Sequence, residues 1–407
     1  MSSLNEFKRV PTYPNYLDYL GYSAIHLGCL GVIWTGVSKR DLIVCAVSYF
    51  VRMFGVMVGF HRYFSHRSFK ASRGMQFVLA LLGTLGVQKG VLWWAAHHRF
   101  HHRYSDTEVD VHSPMHRNFL YSHCGWHLDV KNRGTDYTRV ADLMKHREIV
   151  WLNDWDVIPQ ALYAVAIYLL FGWSGLVWGF FVSTILLWHA VHGIGSFGHR
   201  FGGYRRFITT DNSRNKWFLA IVLLGEGWHN NHHFYPSSAR QGFVWWEFDV
   251  GYYILKVLSW FGLVWDLRVP AKELVDAREP GVQSTMRRFG AWIQELRRGL
   301  HRSVDESAKD ATEDEKVALN IFKQSLEARV DIFDADATNL MLKNPGKLGD
   351  VERRLRSGLV EEVKQLDPQV SRSILAALPD ALQRALSQTL KTCPVGHLLP
   401  KEDAHVA

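Results

Sequence analysis

The chain has 407 residues, enough for more than one domain, and a formal net charge of +8. That charge could indicate a nucleic-acid partner, but the sequence has no basic stripe and no nucleic-acid-binding motif, so we expect none. The four cysteines form no CxxC pair and no disulfide-like spacing, and the N-terminus does not have the pattern of a signal peptide.

Two apolar segments come first in the chain. Residues 19–38 contain no Asp, Glu, Lys or Arg, and their length suffices to span a bilayer core of about 30 Å. After a short KRD turn, residues 42–60 form a second apolar run that only Arg52 interrupts. We predict two transmembrane helices here, with Arg52 facing the bundle interior because a charge facing lipid is costly.

A histidine-rich stretch, HRYFSH at 61–66, follows the second span directly. The next apolar run, 74–96, contains several glycines and Lys89, and HHRFHH follows it at 97–102. If this run crossed the bilayer, the second histidine stretch would lie on the opposite face from the first. We therefore predict that it is an interfacial or re-entrant helix.

The longest uncharged run covers residues 157–198. The sequence GWSG at 172–175 can divide it into a hairpin of two helices, at about 157–173 and 175–195. Buried core helices of a soluble enzyme are the alternative, but an uncharged run of this length is hard to place in a soluble fold. With the first two spans, this predicts four transmembrane helices, and tryptophans lie near several of their ends, as is typical of membrane interfaces.

A third histidine stretch, GEGWHNNHHFYP at 225–236, follows the fourth span. Its histidines have the spacing i, i+3, i+4, and so do those of the second stretch, which places three imidazoles on one helix face. We interpret each triplet as imidazoles converging on one point to bind a metal, and not as a solvated polar turn. Of the 21 histidines, 17 lie between His61 and His233, which favours a shared site.

The predicted topology brings the three stretches to one side of the membrane. Two crossings separate the end of the second span from the end of the fourth, so both ends emerge on the same face. That face carries a run of positive residues just after the second span, which makes it cytoplasmic by the positive-inside rule. These residues are Arg62, Arg67, Lys70 and Arg73.

Without His97, which lies outside the i, i+3, i+4 triplet, the three stretches hold eight histidines, too many for one tetrahedral zinc and suited to two metals. Imidazole binds Zn, Cu, Fe and Ni, so the ligand type alone does not select the metal. A site fed by apolar helices suggests an apolar substrate, and attack on an unactivated C–H bond needs an oxidant. Two irons can activate O₂, whereas zinc has no redox chemistry.

The stretches HRYFSH, HRFHH and GEGWHNNHH resemble the three histidine boxes of the membrane-bound fatty acid desaturases, in the acyl-CoA, stearoyl-CoA-like delta-9 branch. The resemblance covers roughly residues 15–270 and is closest in composition to the bacterial members. It implies a di-iron centre and adds a ninth ligand, His199, in the segment GIGSFGH. The implied iron ligands are His61, His66, His98, His101, His102, His199, His229, His232 and His233.

The sequence departs from the family pattern at two positions. Gly195 occupies the place of an Asn that helps to hold one iron through water in the family, and His192 nearby could compensate. Ala96 occupies the place of an Arg that animal relatives use for the phosphates of CoA. Lys89 and Arg117 remain as candidate head-group contacts, and acyl-CoA and acyl-lipid both stay open as carriers.

The resemblance implies an all-α integral membrane protein, with four transmembrane helices and a cytoplasmic helical cap that holds the di-iron site. Its reaction would be the O₂-dependent introduction of a cis double bond, at delta-9, into a long acyl chain. The chain has no HPGG motif of a fused cytochrome b5. A separate electron donor of the ferredoxin, rubredoxin or cytochrome b5 type is therefore implied, and the bacterial inner membrane is the expected location.

Residues 1–270 are the predicted membrane desaturase domain, and residues 271–407 are a predicted charged, helical, cytoplasmic extension. The extension has neither a CxxCH haem signature nor an iron–sulfur cysteine set. Two other functions remain as alternatives. A related di-iron membrane hydroxylase of lipids or alkanes would use similar boxes, and a non-enzymatic membrane metal transporter would need more polar groups within its spans than this chain has.

Overall fold

The computed structural model describes residues 8–9, 14–207 and 209–270, with scattered single residues and pairs or triplets between 275 and 323. The chain divides into two compact units, residues 1–269 and 270–407. Most of the predicted helical extension at 271–407 lies outside the described residues, so its helical character stays a prediction.

The described part of the first unit is mainly helical. Its α-helices are α1 (Tyr16–Gly28), α2 (Val32–Thr35), α3 (Lys39–Phe54), α4 (Arg73–Thr84), α5 (Val91–Tyr104), α6 (Trp126–Leu128), α7 (Ala141–Met144), α8 (Arg147–Asp154), α9 (Val157–Gly175), α10 (Ser183–Phe197), α11 (Trp217–Val222), α12 (His229–Phe234) and α13 (Val250–Trp260). Short 3₁₀ turns cover Cys29–Gly31, Val130–Asn132 and Tyr137–Val140, and π-helical stretches cover Gly55–Ser65, Tyr121–Gly125 and Leu176–Val182. Two antiparallel pairs of short strands join β1 (Lys8–Arg9) to β3 (Thr135–Asp136) and β2 (Lys70–Ala71) to β4 (Val264–Trp265).

Two helical segments are long and apolar enough to cross a membrane, Lys39–Ser65 and Val157–Phe197. The second is broken at Gly172, which has the non-helical angles φ 71° and ψ −164°. A Cβ on Gly179 would lie 3.2 Å from the side chain of Ile167. Residues this far apart in an unbroken helix would be separated by about 18 Å, so the chain folds back on itself here as a hairpin.

The first predicted span, 19–38, is less regular in the structure. Here α1, the 3₁₀ turn Cys29–Gly31 and α2 follow one another without a break, with right-handed helical angles at Gly28, Cys29, Gly31 and Val32. The predicted interfacial segment, 74–96, is divided between α4 and α5. With 12 residues, α4 is about 18 Å long, which is well short of the bilayer core.

Two glycines bring α4 close to the helix Lys39–Ser65. A Cβ at Gly55 would collide with the backbone carbonyl of Leu82, and a Cβ at Gly59 would lie 2.7 Å from the carbonyl oxygen of Leu79. Small residues four positions apart allow such close backbone contact between membrane helices. This contact holds α4 against the helix that carries the first histidine stretch.

Arg52 lies in the bundle interior, as predicted, and is fully buried. It donates hydrogen bonds to the hydroxyls of Ser183 and Thr184 and to the carbonyl oxygens of Ser48 and Leu85. The guanidinium therefore ties α3 to α10 and to the C-terminal end of α4.

Candidate metal centre

Five of the nine predicted histidines form one cluster, which we call the five-histidine cluster. One ring nitrogen from each member lies within 4.8 Å of the others. The Nε2 atoms of His61 and His232 are 3.0 Å apart, and His232 Nε2 is 2.8 Å from His102 Nε2. The pair His66 and His98 shows the same 2.8 Å separation. The members of the five-histidine cluster are His61, His66, His98, His102 and His232.

The other four predicted histidines form a second group, the four-histidine cluster. The Nε2 atoms of His199 and His229 lie 2.9 Å apart, and the buried Nε2 of His233 has no hydrogen-bond partner among the described residues. A metal with bonds of about 2.1 Å holds neighbouring nitrogens about 3.0 Å apart at right angles, so both clusters have the spacing of metal ligands. The members of the four-histidine cluster are His101, His199, His229 and His233.

Each helical triplet divides between the two clusters. On α5, His98 and His102 belong to the five-histidine cluster, whereas His101 belongs to the other. On α12, His229 and His233 pair in the four-histidine cluster while His232 does not. The prediction that each triplet converges on one point is wrong, because successive residues of a helix are rotated by about 100° and the i+3 side chain points away from its i+4 neighbour.

Four buried or half-buried carboxylates hold the histidines from behind, and the sequence reading missed all four. Each has an oxygen close to an Nδ1 atom. At His101, His199 and His233 this contact is a hydrogen bond that fixes the ring and leaves Nε2 directed into the cluster, whereas Glu226 and His61 are close but not aligned for one. The pairs are Glu226 with His61 (2.9 Å), Asp110 with His101 (2.9 Å), Asp106 with His199 (3.0 Å) and Asp211 with His233 (2.8 Å). The sequence did contain a signal for these carboxylates: acidic residues come just after the second histidine stretch, and Glu226 is the second residue of the third stretch.

Burial keeps most of these imidazoles neutral, which is the form that binds metals. It lowers the pKa of His101 to about 4 and that of His66, His98, His102, His229 and His232 well below the ordinary value. Burial by itself would also lower the pKa of His199, but the neighbouring Asp106 outweighs this effect and raises the pKa of that imidazole. Burial alone would raise the pKa of Asp110 and Asp211, yet their histidine partners hold it well below the usual range.

Arg62 links the first histidine stretch to the third. This fully buried guanidinium donates to Glu226 Oε1 at 2.6 Å and to both carboxylate oxygens of Asp249 at 3.0 and 3.2 Å. The other oxygen of Glu226 faces His61 Nδ1. Arg62 is therefore an internal ion-pair partner rather than a free surface charge. Breaking such a buried pair typically costs about 3–5 kcal/mol, so this network also fixes the position of His61.

A partly open cavity lies beside both clusters, with about 800 Å³ of empty space that includes open solvent. Two members of each cluster contribute to its wall, and three tryptophans and several aliphatic side chains form much of the rest. The wall includes His61, His98, His101, His229, Trp93, Trp94, Trp126, Met57, Val191 and Ile194.

The two candidate head-group residues have different surroundings. Lys89 Nζ lies 3.6 Å from Asp18 Oδ1 and 5.4 Å from the centre of the Trp93 ring, and it is largely shielded from solvent. Arg117 is exposed, with a long contact of 3.5 Å to the carbonyl oxygen of Glu108. Of the two, Arg117 is the one available at the surface.

The family model described as fatty acid desaturase matches residues 42–256, more than half of the chain. An acyl-CoA C20 Delta5-desaturase from Anemone leveillei is 38% identical over 61% of this chain and 80% of the relative. Two cyanobacterial sn-1 stearoyl-lipid 9-desaturases are also similar. The one from Synechocystis is 36% identical over 53% of this chain and 68% of its own length, and the one from Anabaena variabilis is 33% identical over 64% and 96%. The chain therefore belongs to the fatty acid desaturase family of membrane oxidoreductases.

Proposed function

We propose that this chain introduces a cis double bond at delta-9 of a long acyl chain, with O₂ as oxidant and two irons as cofactor. The observation that supports this most directly is the pair of histidine clusters beside one largely apolar cavity. Relatives named for delta-5 and for delta-9 are similarly close, so the position of the bond is part of the proposal.

The residues fit a centre with two metals. Nine imidazoles are neutral or carboxylate-supported, and in four pairs of them the Nε2 separations of 2.8–3.0 Å match neighbouring ligands of one ion. When bound, two irons would supply the redox chemistry that converts O₂ into an oxidant able to attack an unactivated C–H bond. Removal of two hydrogens yields two electrons, and O₂ needs four to become water, so a separate donor protein must deliver the other two.

The protein's own side chains hold and orient the centre and the substrate. The carboxylates fix each supported imidazole through its Nδ1, and Arg62 and Glu226 join the elements that carry the first and third histidine stretches. The tryptophan-lined wall excludes water and holds an extended acyl chain with one methylene pair next to the clusters. The part of the substrate that lies in the cavity therefore needs no polar group.

We further propose four membrane crossings, made by residues 16–35, Lys39–Ser65 and the two arms of the hairpin Val157–Phe197. The histidine clusters and the C-terminal extension then lie on the cytoplasmic side of a bacterial inner membrane. Ala96 offers no contact for CoA phosphates and Lys89 is engaged by Asp18, so an acyl-lipid is as compatible with the site as acyl-CoA.

The test is expression of the full chain in a host without membrane desaturases, followed by mass spectrometry of the total acyl chains. We expect a new monounsaturated chain, with its double bond located at delta-9 by adducts formed across the bond. H61A is the inactive control, since His61 belongs to the five-histidine cluster. A hydroxylated product would support the hydroxylase alternative instead, and iron-loaded protein without either product would contradict both.

A further inference from the structure

One further histidine, His112, lies next to the four-histidine cluster without belonging to it. Its ring centre is 4.4 Å from that of His101, and it lines the same cavity as His101 and His229. In the structure it shares a carboxylate with a candidate ligand.

That carboxylate is Asp110, which is fully buried. Its Oδ2 lies 2.9 Å from His101 Nδ1, and its Oδ1 lies 2.8 Å from His112 Nδ1. An ionised carboxylate only accepts hydrogen bonds, so His112 donates from Nδ1, and in its neutral form its Nε2 is an acceptor. Carboxylates orient His101, His199 and His233 through Nδ1 in the same way, so the His112 ring is oriented like those of the candidate ligands.

His112 is nevertheless too far away to be a direct ligand. Two nitrogens bound to one ion lie at most about 4.2 Å apart when each bond is about 2.1 Å. His112 groups within 4.8 Å of His101 and Asp110, but not with His199, His229 and His233 together. One water molecule can bridge an Nε2 acceptor to a metal that the imidazole does not reach directly.

Gly195 on α10 explains why the ring can lie there. A Cβ at this position would be only 3.0 Å from Cδ2 and 3.5 Å from Nε2 of His112. A side chain at 195 would therefore press on the His112 ring, which would have to shift by a few tenths of an ångström. His192, the other candidate to compensate for Gly195, belongs to neither cluster.

We propose that His112 is a positioning residue whose Nε2 accepts a hydrogen bond from water held at the exchangeable position of the metal in the four-histidine cluster. The inference rests on the proposed function, since it requires a metal there. It assigns to His112 the role that an amide side chain at position 195 would otherwise fill.

The experiment uses full-length, iron-loaded, oxidised protein and azide, an anion that replaces metal-bound water. Azide is titrated by its charge-transfer absorption into the wild type, H112A, G195N, the double variant H112A/G195N, and H116A. His116 is an exposed histidine of the same loop, so H116A is the matched control. Iron content and desaturation rate are measured on each sample.

We expect H112A to keep both irons, to change its azide affinity by about 10-fold or more, and to lose activity by about 10–100-fold, the usual cost of losing an outer partner of a metal site. G195N alone should be impaired because its side chain collides with the His112 ring. The double variant should regain azide affinity and activity relative to H112A, because the removed ring leaves room for an amide acceptor. A purely structural role for His112 predicts no such rescue.

H112A with azide affinity and activity within about 2-fold of wild type would overturn the inference, as would loss of one iron per chain without rescue by G195N. Either result leaves the proposed function intact. Wild-type protein that binds no iron would instead refute the proposed function, and the inference with it.

Discussion

At the residue scale, the two nitrogens of each imidazole have separate tasks. The Nδ1 atoms of His61, His101, His199 and His233 face carboxylates, and the Nε2 atoms face one another. His97 is different: it is half-buried, and its Nδ1 lies 2.9 Å from the carbonyl oxygen of Trp93 within the same helix. Spacing along α5 alone does not separate these two kinds of histidine.

This contrast predicts the outcome of two substitutions on α5. H101A should lower desaturation by more than about 100-fold and reduce bound iron, because it removes a candidate ligand and leaves Asp110 without one partner. H97A should cost less than about 10-fold, since His97 belongs to neither cluster and its Nδ1 lies against the carbonyl oxygen of Trp93. Activity in isolated membranes, with iron per chain, measures both, and equal losses would mean that the ligand assignment is wrong.

The candidate ligands could be predicted from sequence because each stretch is local, and a local spacing survives folding. Which carboxylate supports which histidine could not be predicted. Asp106 meets His199 across 93 positions of the chain, and Asp211 meets His233 from a loop that no periodicity identifies. The division of each triplet between two clusters was also missed, since it depends on which elements pack against the two sides of α5.

At the element scale, the close contact of α4 with the helix Lys39–Ser65 positions the first histidine stretch. In the sequence, GVMVG at 55–59 reads only as part of an apolar span, because nothing local shows which helix will pack on it. The hairpin at Gly172 was predictable, since GWSG interrupts a run that is too long for one crossing.

The glycine contact predicts a difference between two Gly→Ala variants. G55A should destabilise the protein by about 1–3 kcal/mol and reduce bound iron, because its Cβ would collide with the backbone of Leu82. G21A is the matched control on α1, where a Cβ would meet nothing within 4 Å. Thermal unfolding in detergent compares them, and equal midpoints would contradict the packing described for α4.

The proposed topology predicts that the segment 74–96, which α4 and α5 share, does not cross the bilayer. Single cysteines at Ser72 and Glu108, both exposed, should react with a membrane-impermeant reagent from the cytoplasmic side. The background should have its four native cysteines replaced. Labelling of the two positions from opposite sides would refute a shared site on one face.

At the scale of the whole molecule, all nine candidate ligands and the cavity lie in the first compact unit, residues 1–269. The family match also ends within it, at residue 256. The rise in charge near residue 270 allows the boundary of the second unit to be predicted from the sequence. The function of that unit could not be predicted, because its sequence has no redox-cofactor motif and most of it lies outside the described residues.

We predict that a chain ending at Leu300 keeps its iron and desaturates when supplied with excess electron donor. All the proposed chemistry precedes position 270, so the second unit should affect donor delivery at most. Rates at limiting and saturating donor, compared with the full chain, separate the two roles. A truncated protein that folds and binds iron but forms no double bond at any donor level would place the second unit within the catalytic machinery.

The central claim is that nine histidines hold two irons, and the most direct test is the metal content of full-length protein purified without added metal. We predict close to two irons per chain, falling in H61A and in H229A, which affect one cluster each. A stoichiometric content of one zinc and no iron would contradict the account.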